Sequence, residues 1–205
     1  MFTLNLKDMP NWCSTQYVLV SEYKEQLDEL HSIMEEFESM KRESLPNGFG
    51  NTWLGNLVDA LGADWQKVYC RGSWSNLNHG INTYGEHFLS FDTEHAWSRP
   101  YEVEELIMQK FPDVEIYFFE EEPGMCILQT NDSDGKYFPE EYLLDIWDDS
   151  YEYCTLEDAL KRLSKYLDKE FKTYDEAAES VSEYNEKAEA EESENYIHFR
   201  KVDIV

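Results

Sequence analysis

The chain has 205 residues, 44 of them acidic and 17 basic, for a formal net charge of −27. Such a field repels nucleic-acid phosphates and anionic lipid surfaces and attracts basic protein surfaces. Six Trp, 14 Tyr and 11 Phe exclude a disordered acidic tail, because aromatics supply the burial that offsets chain entropy.

A length of 205 fits one generous domain or a domain with an extension. No stretch approaches the roughly 20 apolar residues of a membrane span. The opening Met-Phe-Thr-Leu-Asn-Leu-Lys-Asp lacks the basic and apolar regions of a signal peptide, so a cytoplasmic location is expected. Cys13, Cys70, Cys126 and Cys154 are widely spaced, with no CxxC pair. Reduced, buried thiols are expected rather than a zinc or iron–sulfur centre, and no cofactor is implied.

In chain order, Gln16 to Val20 has strand composition. Leu27, Leu30, Ile33, Met34 and Phe37 recur at steps of three and four, which predicts a helix from about Lys24 to Met40. Trp53, Leu54, Leu57, Val58 and Leu61 predict a helical insertion over about 47–70, with Gly62 after its end. Strands are predicted at Ser73 to Leu77 and His87 to Thr93. Arg99-Pro100 opens a second long helix with a Val103, Leu106, Ile107, Phe111 stripe. Strands follow at Val114 to Glu121 and Gly124 to Thr130, with a turn over 131–135.

This order is a split βαβ layout, and it predicts an α+β, ferredoxin-like sandwich over residues 1–138, with an antiparallel sheet and helices on one face. Residues 139–195 hold 19 acidic and 6 basic residues. Residues 139–205 are therefore expected to form an acidic helical extension. One helix follows Thr155 through Leu156, Ala159, Leu160, Leu163 and Leu167; a second, nearly all polar, runs from Thr173 to about Glu194. Residues 196–205 have strand composition.

The segments Pro10-Asn11-Trp12-Cys13-Ser14, Gly50-Asn51-Thr52-Trp53 and Phe91-Asp92-Thr93-Glu94-His95-Ala96-Trp97-Ser98 resemble the ferredoxin-like-domain family of YubB-type proteins, found on conjugative plasmids and phages. The likeness covers about residues 9–138. It implies the fold and a mobile-element setting, and it carries over no catalytic residue, because the family has no assigned activity. The acidic extension lies outside it.

Several constellations invite chemistry. Trp12, Trp53, Trp74 and Trp97 fall at element ends that this fold brings to one edge; they form either an aromatic recognition surface or packing. His87 and His95 read as surface histidines, about 26 Å apart along a straight strand and unable to share a metal. Glu120 and Glu122 have the parity of paired carboxylates but read as a solvated strand end. Asp132-Ser133-Asp134-Gly135 with Glu141 resembles part of a calcium loop without its first ligand, and reads as a turn.

The chain lacks a nucleophile elbow, a phosphate-binding glycine loop and an HExxH motif. A non-enzymatic protein-binding module is expected, as a monomer or weak dimer. Its acidic face, Asp175, Glu176, Glu179, Glu183 and Glu186, would occupy the basic surface of a nucleic-acid-handling protein as a mimic of phosphates. The alternatives are an enzyme using carboxylates at the sheet edge, or a divalent-metal-binding protein.

Overall fold

The computed structural model describes residues 10–147 and 152–205. The opening segment, where no export signal is expected, lies outside the described residues. The chain is α+β and divides into two compact units, 1–131 and 132–205. The division falls slightly before the 138/139 boundary expected from composition.

The first unit runs β1 (Trp12–Ser21), α1 (Lys24–Glu38), α2 (Leu54–Ala60), β2 (Gly72–Ile81), β3 (His87–Ala96), α3 (Tyr101–Lys110), β4 (Glu115–Glu122) and β5 (Ile127–Thr130). Its strands lie in the order β2-β3-β1-β4-β5. Each neighbouring pair is antiparallel. Thus β1 and β2 flank β3, while β3 and β4 flank β1.

Alternation sets which side of the sheet is covered. Cys13, Thr15, Tyr17 and Leu19 of β1 are buried, whereas Trp12 and Gln16 are exposed. The odd-numbered β1 residues Tyr17 and Leu19 share one core with Leu27, Leu30 and Met34 of α1, Leu54 and Leu57 of α2, and Val103 and Ile107 of α3. Burying each of the leucines contributes about 1.5–3 kcal/mol. The first strand starts at Trp12 rather than Gln16, because the small polar residues Ser14 and Thr15 keep the ladder register with Glu94 and Thr93. β2 is longer than expected too and carries a bulge between Ser75 and Asn78, with Asn76 at φ 54°.

The segment expected as a strand from Gly124 begins instead with a 3-10 turn over Pro123–Met125. The Glu122 carboxylate accepts the N–H groups of Gly124 and Met125 and holds that turn.

The second unit is not a helical extension with strand composition only at its end: two further strands precede its helices. It contains β6 (Tyr142–Ile146), β7 (Glu152–Cys154), α4 (Leu156–Leu167), α5 (Tyr174–Ala190), β8 (Ile197–Lys201) and β9 (Asp203–Ile204). A three-stranded sheet in the order β7-β6-β8 gives the two helices a surface to cover. Tyr142, Leu144 and Ile146 of β6 pack with Ala159 and Leu163 of α4 and Ala177 and Val181 of α5. The closing segment joins this unit's own sheet through β8, which pairs with β6 from Ile146↔Ile197 to Tyr142↔Lys201. None of the helices among the described residues is long and apolar enough to cross a membrane.

Candidate functional sites

The helix α5 opens at Thr173, whose hydroxyl accepts the Glu176 N–H at 3.3 Å. Glu176 in turn accepts the Lys172 N–H at 2.9 Å. The helix is not polar all round. Ala177, Ser180, Val181 and Ala188 are buried, and Tyr174, Tyr184 and Asn185 are half-buried on the same side. Asn185 clamps α5 to β8, donating to the Ile197 carbonyl at 2.8 Å and accepting the Ile197 N–H at 2.9 Å.

Asp175, Glu176, Glu179, Glu183, Glu186 and Glu189 are all exposed. At 3.6 residues per turn they fall within an arc of about 140° opposite the buried side. All five sequence-proposed carboxylates therefore share one face with Glu189. Small alanines form the buried side, which is why the stripe was illegible as an apolar run.

The four tryptophans separate. Trp53 and Trp74 belong to the core of the first unit. The Trp74 indole N–H donates to Glu38 at 3.2 Å, and Trp53 lies edge-to-face on Trp65. Trp12 and Trp97 are exposed at 43% and 41%. The Trp97 N–H donates to the Asn11 carbonyl at 2.8 Å, so their backbones lie side by side. Trp97 has φ 72°, a strained conformation for a bulky residue.

A third constellation was missed. Glu120 and Glu122, expected as a solvated strand end, are 0% and 1% exposed. They follow Phe118 on the covered side of the sheet. Glu120 accepts from Arg99 N at 3.0 Å, Gln129 Nε2 at 2.6 Å and Cys13 Sγ at 3.3 Å. The Arg99 guanidinium also binds Glu104, lies 3.8 Å from the Phe118 ring centroid and 4.1 Å from that of Tyr101. Tyr17 donates its hydroxyl proton to Glu104.

Burial pushes the Glu104 carboxyl above its ordinary range, and the Tyr17 and Arg99 contacts offset only part of that. Burial, reinforced by Glu120, raises the Cys13 thiol strongly and leaves it unreactive. The Cys70 thiol is pushed up to about 11 by burial and Glu102. The signals were the Phe118-Glu120-Glu122 parity and the single Glu104 inside an apolar helix stripe.

Glu104 and Glu120 face Arg99, Tyr17 and Gln129. The adjoining cavity, lined by Tyr17, Thr93 and Glu104 among apolar side chains, holds about 10 Å³, space for one water at most. The cluster fastens α3 to β1 and β4.

His95, read as a surface residue, is fully buried. Its Nδ1 lies 2.6 Å from the Ser98 carbonyl and its ring meets Tyr69 edge-to-face. The Asp132 carboxylate, weighed as a calcium ligand, accepts the N–H groups of Tyr137 and Phe138. Among the described residues there is no group of three or more His, Cys, Asp or Glu arranged to hold a metal ion. Cys13, Cys70 and Cys154 are buried free thiols, whereas Cys126 is exposed.

A separate open cleft of about 650 Å³ in the first unit is lined by Tyr23, Glu86, His87, Asp113 and Glu115. Comparison with protein-family models, with curated proteins and with solved structures found no match.

Proposed function

We propose that this chain is a non-enzymatic protein-binding module, with a ferredoxin-like core, that occupies the basic surface of a nucleic-acid-handling protein through the acidic face of α5. The strand order β2-β3-β1-β4 with antiparallel neighbours supports the core assignment. The resemblance of the Pro10–Ser14 and Phe91–Ser98 segments to YubB-type proteins fits the same reading and a mobile-element setting.

The observation that carries the binding role is the segregation of carboxylates on α5. Four of them, Glu176, Glu179, Glu183 and Glu186, span about 15 Å at 1.5 Å per residue. That is a mean interval of about 5 Å between charges, of the same order as the 3.4 Å axial phosphate spacing along one DNA strand. Solubility is served by charge anywhere on a surface. Here Glu186 and Glu189 sit near the helix C-terminus, where the helix dipole disfavours anions, with Lys187 as the basic residue of the last turn. Accepting that cost fits a face selected for its charge.

The test is a pull-down from host extract with elution in rising NaCl, repeated with duplex DNA as competitor. Recovered partners are expected to be basic nucleic-acid-binding proteins, released by moderate salt and displaced by DNA. The variant Asp175→Asn/Glu179→Gln/Glu183→Gln/Glu186→Gln is expected to lose them. Neutral partners, or capture indifferent to salt, would overturn the reading.

A further inference from the structure

We infer that the exposed end of β1 is a socket for a guanidinium side chain, built from Trp12, Phe49 and Glu94. This rests on the reading that the partner surface is basic, and it names a second point of contact, in the first unit.

Trp12 is 43% exposed and Phe49 36%. Their rings meet edge-to-face, with centroids 6.4 Å apart and planes at 77°. Two exposed aromatic rings at near right angles make a corner rather than a flat patch. Strand register then places charge beside it. Trp12 pairs with Ala96 and Ser14 pairs with Glu94, so Glu94 lies on the same side of the sheet as Trp12. On the opposite side of β1, Ser14 pairs with Glu121, which puts a second carboxylate on that side. Diagonal neighbours of this kind stand about 7–8 Å apart, within reach of one long side chain.

Continuing along the face, the exposed or half-buried residues next to the pair are polar, Ser14, Gln16 and Asp92, while Phe119 opposite Gln16 is buried. The exposed aromatic pair, with Trp97 beside it along the backbone, thus borders polar and acidic residues rather than the continuous exposed apolar surface of a dimer interface. A second copy would bring its own net charge of −27 against this one. An anionic ligand meets the same field. A cation fits: ring faces attract it through their quadrupoles, and the carboxylate pairs with it. Guanidinium is favoured over ammonium because it is planar, stacks on aromatic faces and presents a fork of donors to a carboxylate.

The experiment titrates the 15N-labelled full chain with a capped tetra-arginine peptide, and separately with tetra-lysine. It follows the indole N–H resonances, assigned by single Trp→Phe variants, together with the α5 amides. The Trp12 indole is expected to shift with tetra-arginine while the buried Trp53 and Trp74 indoles stay in place. Glu94→Gln and Phe49→Ala, read through the Trp12 indole, are each expected to weaken the interaction at this site about two- to fivefold, the range of an exposed cation–π or ion-pair contact.

If the α5 amides move and Trp12 does not, the socket is refuted and the α5 reading stands. If Trp12 moves and α5 does not, the reverse holds. Equal Trp12 shifts with tetra-lysine would overturn the choice of guanidinium. A Trp12 shift produced by protein concentration alone would assign the corner to self-association and overturn the proposal.

Discussion

Gly55 lies directly against the indole of Trp53: a Cβ added there would stand 2.3 Å from Trp53 Cζ2 and 2.4 Å from Cη2. Trp53 is buried and held edge-to-face on Trp65, with centroids 5.1 Å apart, so the ring has nowhere to go. Gly55→Ala in the first turn of α2 should gain at most about 1 kcal/mol of helix propensity. Overpacking costs about 1–3 kcal/mol and is expected to win. Urea denaturation would show a lowered midpoint; an unchanged or raised midpoint would contradict this packing.

Arg99 is the cation facing Glu104 and Glu120. Arg99→Met keeps the length of the side chain and leaves two buried carboxyls without it. The expected cost is about 3–5 kcal/mol. Combining it with Glu104→Gln and Glu120→Gln should recover a substantial part, because the uncompensated charges go too. Chemical denaturation of the single and triple variants tests this; a single-variant loss below about 1 kcal/mol, the scale of a surface pair, would refute it.

His95 gives stability a pH dependence of known sign. Burial lowers its proton affinity below that of an ordinary imidazole, so the folded state holds it neutral. The unfolded chain binds the proton more readily, near pH 6.5. Stability from this group is therefore present above about pH 6.5 and is lost as pH falls below it. His95→Asn, which has no titrating group, should be less stable than the parent at pH 7.5. The gap should narrow by pH 5.5. A gap that widens on acidification would show that the protonated form is the one the fold prefers.

Thr173 and Asn185 together hold α5 in place, one capping its first turn and the other binding β8. Thr173→Ala removes the side-chain acceptor of the Glu176 N–H and should cost about 1 kcal/mol. Amide exchange should accelerate in the first turn of α5, ahead of the turns that carry Val181 and Ala188. Uniform acceleration through the helix would point to global rather than local loosening.

Much of the first unit was legible because its helices are long and strongly periodic. Leu27, Leu30, Met34 and Phe37 specify the buried side of α1 without help from the rest of the chain. The carboxylate cluster was not legible. Glu120 and Glu122 look like a charged strand end until Arg99, from the loop before α3, is brought beside Glu120 and the N–H groups of Gly124 and Met125 close on Glu122. Likewise His95 is polar by composition and buried only because β3 lies between β1 and β2. The strand composition of residues 196–205 was legible and β8 lies there, but β6 and β7 were missed because Tyr142–Ile146 and Glu152–Cys154 are short and set among acidic residues that local propensity reads as helix or loop.

Charge, aromatic content and helical period are properties of the chain itself, and they determined that it folds, that it is strongly anionic and where most helices lie. Which carboxylates face solvent and which are buried against a guanidinium depended on the pairing of β1 with β3 and β4, strands far apart in the chain. The tertiary structure alone decided that α5 buries alanines and displays glutamates, and that Trp12 is exposed while Trp74 is core. The physical reason is that exposure belongs to a surface formed by several elements at once, whereas period and composition belong to one segment at a time.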